Sequence, residues 1–142
     1  MLLLLLLTSI SLVFGMDILV PAYFYPSGKG LSYWNNLTAT ASSGAAPLTV
    51  IINPNSGPGT SVDSTYVTVN NNVRNAGAVV VGYVYSSYGA RNYSDFVNDV
   101  NNYLAWYAVD GFFIDEMSDV GNSTIVNYYQ SLYNYIKSIN NK

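Results

Sequence analysis

The sequence predicts an α/β fold assembled from parallel βα units. Four short apolar runs recur along the chain, each closed by a cluster of Gly, Pro, Asn or Ser. Each run is followed by a stretch whose apolar residues return at helical spacing. The runs are continuously apolar rather than alternating, which is the pattern of parallel strands covered on both faces.

The first strand is expected over residues 18–25 and ends at Pro26-Ser27-Gly28, with a short helix around 32–41. The second strand, 48–53, is closed by Pro54-Asn55-Ser56-Gly57-Pro58-Gly59. Its helix starts with Asp63 as N-cap, carries Tyr66, Val69, Val73 and Ala76 on one face, and stops at Gly77. The third strand is Val79–Tyr85. Ser94 then caps a helix whose face is Phe96, Val100, Tyr103 and Tyr107. The fourth strand, 111–116, precedes a helix from about Ser123 with Ile125, Tyr129, Leu132, Ile136 and Ile139 as its inner stripe.

Composition narrows the function. The chain has 142 residues, enough for one domain with a real core. Its only cationic side chains are Lys29, Arg74, Arg91, Lys137 and Lys142, and the net charge is -3. That argues against a nucleic-acid partner, whose affinity comes largely from Lys and Arg on phosphates. The chain has no Cys and no His. Thiol chemistry, Cys or His zinc sites and Ser-His-Asp triads are therefore excluded. Acid–base chemistry must fall to carboxylates, tyrosines or lysines. No Asp-x-Asp-x-Asp loop is present, and no metal or cofactor is expected.

Residues 1–15 read as a secretory signal peptide, being apolar but shorter than the ~20 residues of a spanning helix. Residues 16–142 then form the domain, and the protein is expected to be secreted and extracellular, with the cell wall as a possible residence. No membrane partner is expected after cleavage. Acceptor sequons at Asn36, Asn92 and Asn122 fit secretion.

Two architectures fit four βα units: an open doubly wound sheet, or the first half of a (β/α)8 TIM barrel, which needs about 250 residues in all. In both, ligands bind at the C-terminal strand ends. Those ends bring together Tyr23, Tyr25, Asn53, Asn55, Tyr83, Tyr85 and Tyr88 with Asp115 and Glu116. Tyrosine offers a ring to sugar C–H faces and a hydroxyl to sugar edges, and Asn offers a donor and an acceptor. Asp115 and Glu116, the latter the single glutamate of a chain only 9% charged, are the candidate catalytic carboxylates. If both stay in the strand, their side chains point to opposite faces. A second catalytic carboxylate is then expected from another strand, because glycoside hydrolysis usually needs two flanking the bond. Asp63, Asp95 and Asp99 are explained by caps and helix surfaces, and Asp17 and Asp110 lie at the wrong end of the sheet. Arg91 is read as a loop residue, either solvated or orienting a carboxylate or a glycan.

Four stretches together resemble the spherulin-4 family. They are Val20-Pro21-Ala22-Tyr23-Phe24-Tyr25-Pro26, Leu48-Thr49-Val50-Ile51-Ile52-Asn53-Pro54-Asn55-Ser56-Gly57-Pro58-Gly59, Gly82-Tyr83-Val84-Tyr85-Ser86-Ser87-Tyr88-Gly89-Ala90-Arg91 and Trp106-Tyr107-Ala108-Val109-Asp110-Gly111-Phe112-Phe113-Ile114-Asp115-Glu116-Met117. The resemblance implies a (β/α)8 barrel related to glycoside hydrolases that cleave α-1,4-linked galactosamine polymers such as galactosaminogalactan. It places family catalytic carboxylates on Asp115 and Glu116, and a further family glutamate on a later strand, beyond Lys142. Only about the first four βα units are expected here. The alternative implied by the same resemblance is a non-catalytic glycan-binding wall or coat protein of encystment.

Overall fold

The computed structural model describes residues 15–139. All of the expected signal segment except Gly15 lies outside them. Strands β1 (Ile18–Ala22), β2 (Leu48–Ile52), β3 (Val79–Tyr85) and β4 (Gly111–Asp115) alternate with helices α1 (Lys29–Ser43), α2 (Ser64–Asn75), α3 (Tyr93–Trp106) and α4 (Ser123–Ile139). A 3-10 turn, Ser87–Gly89, follows β3. The strands form one parallel sheet in the order β1-β2-β3-β4. The register aligns Val50 with Val80 and Tyr83 with Phe113.

That sequential order decides where the helices go. Crossovers between parallel strands are right-handed, so a sheet whose order never reverses places every helix on the same face. A doubly wound sheet needs a reversal. The four described strands have none, so that alternative fails. The expected cover on both faces is likewise corrected: one face only is covered.

On the covered face, Val20 and Ala22 of β1, Leu48, Val50 and Ile52 of β2, and Val80 and Val84 of β3 pack with Trp34, Val69, Val73, Phe96, Val100 and Tyr103 of the helices. On the open face Leu19 remains 55% exposed and Val79 47%. The strands are apolar on both faces, yet the main core takes alternate residues, with Ile51 of β2 buried on the other face as well.

Local chemistry accounts for the boundaries. The Asp63 carboxylate accepts from Thr65 N (2.8 Å) and Tyr66 N (3.4 Å), the expected N-cap of α2. Gly77 follows α2 with φ 107, a conformation natural only to glycine. β2 stops at Ile52 because Pro54 has no N–H for the ladder. β1 consequently ends at Ala22, short of the expected Tyr25, since Ala22 pairs with the last β2 residue. Ser94 lies inside α3 rather than capping it, and Asn92 is the N-cap.

β4 enters the sheet through Asp110. Its backbone N–H donates to Val80 O at 2.6 Å, and its carboxylate accepts from Val80 N at 3.0 Å. Arg74 of α2 binds the same carboxylate through Nε (3.1 Å) and one terminal nitrogen (2.7 Å). This residue at the non-functional end of the strand is thus a fastener between helix and sheet.

α3 approaches β3 most closely at Gly82. A Cβ there would lie 2.9 Å from the Tyr103 ring, which is fully buried and donates its hydroxyl to Ile52 O at 3.2 Å. Gly82→Ala is expected to destabilise the fold by about 1–3 kcal/mol, through overpacking against a ring that cannot move away. Urea denaturation compared with wild type checks this, and an unchanged midpoint would refute it.

Candidate functional site

The C-terminal strand ends carry the polar side chains, and the structure sorts them into separate groups. Tyr83, Phe113 and Asp115 follow the alternation that puts their neighbours Val84, Phe112 and Ile114 against the helices, so they face the open side. Tyr23 joins them: its ring meets Tyr83 edge-on with centroids 5.6 Å apart, and Tyr83 stacks on Phe113 at 6.5 Å. Burial first, then interaction with the Asp115 carboxylate and the negative charge of Glu116, push the Tyr83 phenol pKa upward. Tyr23 is also raised, by burial and then by Asp115.

Asp115 and Glu116 are neighbours in sequence, yet the strand does not carry both. β4 ends at Asp115, and Glu116 has φ 52, the left-handed region. The expectation that the two side chains point apart held only if both stayed in the strand. A left-handed residue breaks the alternation. For a residue with a Cβ that conformation costs roughly 1–2 kcal/mol, so something must hold it. Tyr88 N donates to Glu116 O at 2.8 Å, and the Ser86 hydroxyl donates to the same oxygen at 2.7 Å. Ser87 (φ 47) and Tyr88 (φ 55) are themselves left-handed. Three strained non-glycine residues thus meet at the end of β3 and β4, and such strain clusters at functional sites. Tyr88 presents a ring that is 66% exposed beside Glu116.

The other residues expected at the rim lie elsewhere. Tyr25 turns outward to Tyr66 of α2, with centroids 5.8 Å apart. With Asn55, Asp63 and Tyr107 it lines a polar groove of about 450 Å³. The Tyr107 hydroxyl preforms that groove, accepting from Asp63 N (3.0 Å) and donating to Pro58 O (3.3 Å). Tyr85 lies under Arg91, whose guanidinium sits 4.0 Å from the ring centroid. Arg91 also binds the Asp99 carboxylate at 2.6 Å with only 10% of its side chain exposed. The reading of Arg91 as a solvated loop residue fails, while the reading that it orients a carboxylate fits: it holds Asp99 in an internal ion pair bracing the β3–α3 loop. The Asn53 amide is spent on the backbone, its oxygen accepting from Gly57 N at 2.8 Å. The structure thus brings together Tyr23, Tyr83 and Asp115, with Glu116 and Tyr88 alongside. Tyr25, Asn55 and Tyr85 belong to adjoining grooves.

Sequence reasoning did not single out Ser86 or Tyr129 as site residues. Ser86 is fully buried, and Tyr129 reads simply as part of the inner stripe of α4. A buried hydroxyl immediately after a strand end was the only available signal.

The molecule these features define is a singly wound parallel βα protein with a carboxylate pair at its strand-end rim. The profile of the family described as "Spherulation-specific family 4" matches residues 17–142, and the chain belongs to this spherulin-4 family. It is similar to Spherulin-4 of Physarum polycephalum, with 41% identity over 125 residues, a stretch covering 87% of this chain and 36% of that protein. The chain therefore spans little more than a third of that relative's length. No solved structure matches it.

The raised tyrosines set an alkaline limit. Burial pushes Tyr66 up to about 12, and Tyr83 and Tyr103 are raised as well. An unfolded tyrosine loses its proton near pH 10, while the folded one keeps it. The folded chain then binds more protons than the unfolded one, so stability is flat below about pH 10 and falls above it. Thermal unfolding followed across that range checks this. Asp115→Asn is expected to lower the Tyr83 midpoint specifically, as read from its ring carbon in an NMR titration.

Proposed function

We propose that this chain supplies the carboxylate-bearing part of a secreted glycoside hydrolase. Its substrate would be a galactosamine-containing polysaccharide of cell wall or extracellular matrix. The sheet is read as the N-terminal half of a (β/α)8 barrel, with its open face as the barrel interior. One observation carries the reading: adjacent carboxylates, Asp115 and Glu116, stand where β4 ends, next to the Tyr23–Tyr83–Phe113 ring cluster, at the C-terminal end of parallel strands. Strand ends of this kind are where barrel enzymes place their chemistry. Family membership supports the assignment through the family's hydrolase relatives.

In this mechanism Tyr23, Tyr83 and Tyr88 stack on and hydrogen-bond the sugar. Tyr83 lies beside the Asp115 carboxylate. One carboxyl group protonates the leaving oxygen or attacks the anomeric carbon, and a carboxylate from a later strand provides the opposing function.

A second reading, a glycan-binding wall or coat protein without turnover, is favoured by one feature. Among the described residues, Asp63 caps α2, Asp99 pairs with Arg91 and Asp110 with Arg74, so these acids are engaged away from the open face. Incubating the protein with galactosaminoglycan separates the readings. Hydrolysis predicts release of reducing ends, reduced on the order of 10²–10⁴-fold by Asp115→Asn or Glu116→Gln. Retention on the polysaccharide without release favours the binding protein, and neither release nor retention sinks both.

A further inference from the structure

We propose that Ser86 and Tyr129 are positioning residues that lock Glu116 in its left-handed conformation and so take its side chain out of the strand alternation that would send it toward the helix face. The inference deepens the site described above and rests on that reading for its catalytic meaning, but its structural claim stands alone.

The argument is one of proton direction. Ser86 Oγ lies 2.7 Å from Glu116 O, 3.0 Å from Asp115 O and 3.0 Å from the Tyr129 hydroxyl. Carbonyl oxygens only accept, so the single Ser86 proton goes to them. In the Ser86–Tyr129 bond, Tyr129 must then be the donor. Tyr129 in turn accepts from Ser118 N at 2.8 Å. The chain of bonds runs one way, from Ser118 N–H through Tyr129 and Ser86 to the carbonyls of Glu116 and Asp115, the Glu116 contact being the shorter. It ties three elements together: the end of β3, the loop after β4, and α4.

Its geometry bears on the carboxylate through the peptide plane. The Glu116 carbonyl is held from two sides, by Ser86 Oγ and by Tyr88 N. Fixing that plane fixes the direction of the Glu116 side chain. Without the Ser86 contact, the residue is free to leave its strained conformation for an extended one. Continued extension past Asp115 would turn the Glu116 side chain toward the helix face, away from Tyr83. The Ser86 hydroxyl is fully buried, so its partners must come from this turn, and leaving it without them would be costly.

The chain contains a single glutamate, so selective glutamate labelling gives one residue's signals. In the wild type the Glu116 ¹³Cα and ¹³Cβ shifts are expected to report a left-handed residue. Ser86→Ala and Tyr129→Phe should each move them toward extended values. Tyr129→Phe keeps the ring in place and remains informative if Ser86→Ala fails to fold. Signals that stay unmoved in the folded Tyr129→Phe and Ser86→Ala proteins overturn the proposal. Where polysaccharide cleavage is measured, both variants should lower kcat on the order of 10²-fold while KM stays near its wild-type value. Cleavage untouched by Asp115→Asn and Glu116→Gln refutes the hydrolase reading and leaves the NMR result standing. Cleavage lost in those variants but full in Ser86→Ala refutes the positioning role alone.

Discussion

The ladder between β3 and β4 is the feature on which the site depends. It runs from Val81 against Gly111 to Tyr85 against Asp115, and Ser86 N extends it by one more bond to Asp115 O at 3.0 Å. At its start, Asp110 exchanges bonds with Val80 and binds Arg74. At its end, Ser86 and Tyr88 hold Asp115 and Glu116. A ladder fixed at both ends leaves the carboxylates little freedom, which is what an electrostatic site requires.

The same ladder divides the residues by face. Period two sends Phe112 and Ile114 into the helix layer and Phe113 and Asp115 to the open side. The core is thus built from half of each strand, while the other half, apolar but exposed at Leu19 and Val79, waits on whatever occupies the open face. The strained turn at Ser87, Tyr88 and Glu116 is tolerated because backbone N–H groups and two buried hydroxyls satisfy it. Interior packing of Tyr103 and Tyr107 meanwhile draws α3 onto β2 and its loop.

Charge is used sparingly and in pairs. Arg74 with Asp110 and Arg91 with Asp99 use both arginines, two of the four cationic side chains among the described residues, and both pairs brace loops or strand entries. Asp115 and Glu116 take no part in these ion pairs, and the Tyr23 and Tyr83 rings lie near Asp115.

The sequence by itself determined the βα alternation, the four strand positions, the Asp63 cap and the prominence of Asp115-Glu116. Those features are local: apolar runs, helical spacing, a capping residue and scarcity of charge are visible without a partner. Tertiary structure decided the rest. Whether Tyr25 and Tyr85 join Tyr23 and Tyr83 depends on which way each ring leaves its strand, and that is set by Tyr66 and Arg91, dozens of residues or a loop away. The roles of Ser86 and Tyr129 exist only as contacts between elements. The break in strand alternation at Glu116 depends on one φ angle, and the carbonyl beyond it is held by hydrogen bonds from residues distant in the chain, which no local pattern could reveal.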